Sequence, residues 1–143
     1  MALEPDVALV EGTAGAGGPL TRLTPVRATG VKVTRALHDG DTVTLGQLAV
    51  RVFAVSGHTQ GRAAYLVNGV LFIGDAADMY NDGAMKGSAW IFTDNQAQDR
   101  ASLVRLDRRL VQEGADVKAI EFAHEGVVAK GLAPLDEFSR RNQ

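Results

Sequence analysis

The chain has 143 residues, with 15 Lys+Arg against 17 Asp+Glu, three histidines and no cysteine. That length fits one domain burying roughly 68–70% of its unfolded surface, which needs no disulfide or structural metal to fold. The missing cysteine excludes disulfide scaffolds, thiolate zinc modules and thiol nucleophiles; the net charge of −2 leaves no basic footprint for nucleic acid or anionic lipid.

No apolar run approaches the ~18 residues of a membrane span, and the opening MALEPDVALVEG is acidic, unlike a secretory signal. A cytoplasmic location and a small-molecule partner, with neither nucleic acid nor membrane, are therefore expected. Residues 4–11 read as a short helix ended by Gly12. Residues 12–30 read as a Gly-rich connector, irregular through Arg27 to Gly30, because four of the eight residues in GTAGAGGP (12–19) are glycine. This stretch is no phosphate cradle: Gly17-Gly18 is followed by Pro19-Leu20 and not by Lys-Ser/Thr, and neither a preceding strand nor a third glycine completes a dinucleotide fingerprint.

Strands follow. Residues 31–35 alternate, 38–41 form a turn carrying His38, and 42–45 are a short strand reversed at Gly46-Gln47. The run LAVRVFAV (48–55) is almost continuously apolar, as in a strand covered on both faces. Residues 62–67 and 70–73 are two strands joined by Asn68-Gly69, a strong short hairpin signal because both positions accept positive φ. Residues 78–92 show no period and read as a long loop of the functional kind. Thr93-Asp94-Asn95-Gln96 reads as a capping box opening a helix, with Leu103, Leu106, Leu110 and Val111 on its apolar face, Arg100, Arg105, Arg108 and Arg109 on its wet face, and Gly114 ending it. Residues 117–123 are a last strand and 135–141 a closing helix. The class is mixed α/β (α+β), a mainly antiparallel sheet of about five strands with flanking helices.

Three strands end in a candidate metal ligand. His58 follows Gly57 after the apolar run, Asp75 follows Gly74, and His124 follows Ala123. Each alone has an ordinary structural reading as a turn or core residue, as His38 has in its surface turn. Together, His and Asp converging from strand ends are the pattern of a hydrolytic metal centre.

Asp39-Gly40-Asp41, Gly57-His58-Thr59-Gln60-Gly61, Phe72-Ile73-Gly74-Asp75, the Ala101-Ser102-Leu103 helix and Ala123-His124 resemble, in order and spacing, the second half of a metallo-β-lactamase-fold hydrolase. The resemblance covers roughly residues 1–140. It implies part of a four-layer αββα sandwich, with His58 on a first metal, Asp75 as the catalytic carboxylate bridging both metals, and His124 on the second. It implies two zinc sites, with iron or manganese also compatible, and attack of a bridging hydroxide on an ester, thioester, amide or phosphoester. Tyr80, Met85 and Trp90 would offer apolar substrate contacts at the mouth of the site. The family's hallmark His-x-His-x-Asp-His is absent, since no histidine precedes His38. The expectation is a single metallo-β-lactamase-like domain over residues 1–143 that is N-terminally incomplete, binds metal weakly or not at all, hydrolyses little, and dimerises through an exposed sheet face. The alternative is a catalytically silent binding or regulatory module that kept the fold without the metals.

Overall fold

In the computed structural model, residues 1–23 and 30–143 are described. Two short strands, β1 (Ala2–Leu3) and β2 (Ala36–Leu37), pair in parallel. Between them a 3-10 turn over Glu4–Asp6 leads into α1 (Val7–Glu11), and α2 (Pro19–Leu23) follows. Helix α1 ends as expected at Gly12, whose φ of 82° supplies the left-handed cap. Helix α2 lies within the stretch read as connector. Pro19 is preset for a first helical turn, and the Thr21 hydroxyl donates to the Gly18 carbonyl. The irregular stretch expected from Arg27 onward falls largely on residues 24–29, outside the described residues.

The remaining strands are β3 (Thr42–Leu45), β4 (Leu48–Ala54), β5 (Ala63–Val67), β6 (Val70–Gly74), β7 (Ala77–Met79), β8 (Met85–Gly87), β9 (Ala119–Phe122) and β10 (Gly126–Val128). Six of them form one sheet in the order β10-β9-β6-β5-β4-β3, antiparallel throughout except for the β6–β9 pair. A parallel neighbour needs a crossover, and α3 (Gln96–Gln112) provides it between β6 and β9. Asn68 (φ 47°) and Gly69 (φ 81°) make the tight turn between β5 and β6 that the Asn-Gly pair predicts.

Period-2 alternation sends the strand residues to two faces. On one, Phe53, Ala64, Leu66, Leu71, Ile73, Ile120 and Phe122 meet Leu103, Leu106 and Leu110 of α3 and Leu135 and Phe138 of α4 (Ala133–Arg141). On the other, Val52 packs with Leu3, Leu37, Val43 and Ala63. Leu48 and Ala49 at the start of β4 are exposed, against the two-sided cover that the apolar run implies; the strand is covered on both faces only in its second half, at Val52 and Phe53. The second face is closed only at this end. Farther along, Tyr65 pairs with Phe72 and Phe72 with Glu121, and Phe72 is 41% exposed.

Four local expectations are corrected. Residues 31–35 form no strand: Val31 is 58% exposed, and the Val33 N–H donates to the Glu11 carboxylate instead of to a ladder. Residues 78–92 are not a plain loop, because β7 and β8 pair antiparallel and Trp90–Phe92 is a 3-10 turn. The cap of α3 is Asn95, whose side chain accepts from the Gln98 N–H at 3.0 Å, and not Thr93, whose hydroxyl donates to the Ala89 carbonyl. On α3, Val111 is 59% exposed and Val104 is buried in its place. No helix among the described residues is long and apolar enough to cross a membrane.

Candidate functional site

After β4 the chain makes an eight-residue loop, residues 55–62, that carries His58. It is stapled to the start of α3: the Asp94 N–H donates to the His58 carbonyl at 3.1 Å, the Asn95 N–H to the Gly57 carbonyl at 2.9 Å, and the Ser102 hydroxyl to the Ser56 carbonyl at 2.9 Å. Gly57 has φ 145°, and a Cβ on it would collide with the Asp99 backbone, so only glycine lets the loop lie this close to the helix. From the other side Asp6 clamps the loop, accepting from the Thr59 hydroxyl and from the Gly61 N–H at 2.7 Å. The His58 side chain is thereby held half-buried, with Nδ1 enclosed and lacking a partner among the described residues. Burial, reinforced by the Arg62 charge, lowers its pKa below the ordinary value, so the ring is held neutral near pH 7.

Strand β6 ends at Gly74 (φ 57°), and this turn presents Asp75 beside two partners from other strands. Its Oδ2 lies 3.0 Å from the Nη2 of Arg62, just before β5; its Oδ1 lies 3.3 Å from the Nε2 of His124, beyond the end of β9. The structure therefore brings Asp75 and His124 into contact, and Asp75 and Arg62 both act electrostatically on His58. All three predicted donors arrive from strand ends. Among the described residues, however, no three His, Cys, Asp or Glu side chains converge on a point that could hold a metal ion. Both Asp75 oxygens are engaged, one by a permanently charged guanidinium. As they stand, these residues do not by themselves fit a metal ion. His38 stays in its surface turn, where its backbone N–H and its ring face Asp41.

Tyr80, Met85 and Trp90 do come together, lining a cavity of about 480 Å3 between β8, the Trp90–Phe92 turn, α3 and α4. None of His58, Asp75 and His124 lines that cavity, and Met85 is also 1% exposed within the main core.

Two charged residues of this region escape the sequence reading. Arg62 had a signal, since it directly follows the Gly-His-Thr-Gln-Gly run. Asp99 had one too: it precedes Leu103 by one helical repeat on the apolar stripe of α3 and is 1% exposed. Its Oδ2 accepts from the Ser88 N–H at 3.1 Å, its Oδ1 has no partner among the described residues, and burial pushes its pKa up to about 6.

No protein-family model matches the chain. Over 70 residues it is 39% identical to a hydroxyacylglutathione hydrolase from Aeromonas hydrophila, a match covering 49% of this chain and 25% of that protein. The whole architecture matches a metallo-β-lactamase from Novosphingobium pentaromativorans (TM-score 0.62, 20% identity, 99% of this chain and 57% of that one). It also matches a metallo-β-lactamase family protein from Thermus thermophilus (TM-score 0.56, 25% identity, 94% and 42%). The chain thus spans about half the length of these structures, and the curated match spans a quarter of the relative. The chain thus has the fold of the metallo-β-lactamase proteins.

Proposed function

We propose that the chain supplies the His58, Asp75 and His124 side of a metal-dependent hydrolase site, with an ester, thioester, amide or phosphoester as substrate. The observation that carries this reading is the meeting of Asp75 and His124 at 3.3 Å from the ends of two adjacent strands, with His58 delivered to the same region from a third. Similarity to a hydroxyacylglutathione hydrolase puts acylglutathione thioesters first among substrates to test.

Ligand arithmetic limits what these residues do alone. A catalytic zinc normally takes three protein ligands, whereas two imidazoles serving different ions and one shared carboxylate leave about two for each. Hydrolysis by the 143 residues is therefore expected to be low. The Arg62–Asp75 ion pair favours a second reading, in which the chain is a catalytically silent module with a guanidinium where a cation would otherwise sit.

Zinc content after exhaustive dialysis, measured beside hydrolysis of a small thioester, tests the proposal. Fewer than about one zinc per chain and a rate within about tenfold of free zinc in buffer are expected. Two tightly held equivalents with rapid turnover would refute the half-site reading.

A further inference from the structure

We propose that Arg62 is a built-in competitor for divalent cations at Asp75: its guanidinium occupies the carboxylate that a metal ion would have to take, so loading requires its displacement. The proposal rests on the reading of Asp75 as the site's carboxylate donor.

The pair is built into the fold. Arg62 immediately precedes β5, and its backbone carbonyl accepts from the Val55 N–H at 2.8 Å, which closes the His58 loop and fixes where the side chain starts. The side chain then runs back across the end of β6, and Gly74 leaves room for it, since a Cβ there would collide with the Arg62 Nη2. Arg62 is only 25% exposed, and its Nε is buried without a hydrogen-bond partner among the described residues. A guanidinium in that setting depends on its carboxylate, because separating the two leaves a partly desolvated charge unpaired. By contrast, His124 meets Asp75 from solvent, with its side chain 73% exposed, and can swing away at little cost. The Arg62 charge also reaches His58, so a cation brought to that imidazole is repelled by the same group. One side chain thus opposes metal at the bridging carboxylate and at the first imidazole.

The test titrates zinc chloride alone into the full chain by calorimetry, comparing wild type with Arg62→Gln, Arg62→Lys and the double variant Arg62→Gln/Asp75→Asn. Arg62→Gln is expected to tighten zinc binding at least about tenfold, Arg62→Lys to stay near wild type, and the added Asp75→Asn to remove the gain. If Asp75→Asn weakens zinc binding in either background but Arg62→Gln binds no tighter than wild type, the proposal alone is overturned. If the gain in Arg62→Gln survives Asp75→Asn, the underlying reading of Asp75 falls with it. Should the variants fold poorly, the wild-type chain still decides: saturating zinc is expected to shift the side-chain NMR signal of Arg62, and an unmoved signal overturns the competition.

Discussion

Gly57→Ala is expected to destabilise the chain by about 3 kcal/mol and to disorder the His58 loop, since strain at a positive φ and overpacking each cost on the order of 1–3 kcal/mol. The residue sits at φ 145°, and a methyl group there runs into the backbone N and Cα of Asp99 in the first turn of α3. Backbone cannot step aside as a flexible side chain tip does. Relief requires either lifting the loop from the helix, which breaks the bonds from Asp94 and Asn95 to the His58 and Gly57 carbonyls, or shifting α3 out of the core. Both routes displace His58. Denaturant midpoints and backbone amide shifts around residues 55–62 would register the change; an alanine variant with wild-type stability and shifts would contradict the packing described.

Asp99→Asn is expected to change the pH dependence of stability by a similar amount. The folded-state pKa of about 6 lies above the ordinary 3.8, so between those values the native state holds a proton that the unfolded chain has released. Stability from this group is therefore fully present below about pH 4 and lost as pH rises through 6. A gap of about two units corresponds to about 3 kcal/mol. The cause is burial without full pairing: Ser88 satisfies one oxygen while the other lacks a partner among the described residues. The asparagine variant keeps an acceptor for the Ser88 N–H and cannot ionise. Relative to wild type it should gain stability steadily from pH 4 to pH 7, as read from urea unfolding at each pH. A constant difference across that range would show that Asp99 ionises as it does in water.

Much of the candidate site's geometry was legible because its residues sit where local chemistry is unambiguous. Gly57-His58, Gly74-Asp75 and Ala123-His124 each follow an apolar strand, and strand ends are where a sheet delivers side chains. The Asn68-Gly69 turn and the leucine stripe of α3 were legible for the same reason, since short-range sterics and helical period determine them. What escaped depends on contacts between distant segments. Strands β7, β8 and β10 have three residues each, too few for alternation to register, and exist because a neighbour pairs with them. Val31 to Arg35 alternates as a strand should, yet joins no ladder, and the Val33 N–H goes to the Glu11 carboxylate instead. In the sequence Arg62 is only the first residue of the strand read over 62–67. Only the fold shows that the missing Cβ of Gly74 lets it lie across to Asp75. Tyr80, Met85 and Trp90 share a cavity, but it is not the mouth expected beside the three strand-end donors, none of which lines it.

The central claim is that His58, Asp75 and His124 act together as one side of a metal site. Zinc titration of the wild-type chain against the His58→Ala/His124→Ala variant tests this most directly. The account predicts weak, measurable binding by the wild type, with a Kd on the order of 10–100 μM, and its loss in the variant. Identical isotherms for the two chains would contradict it.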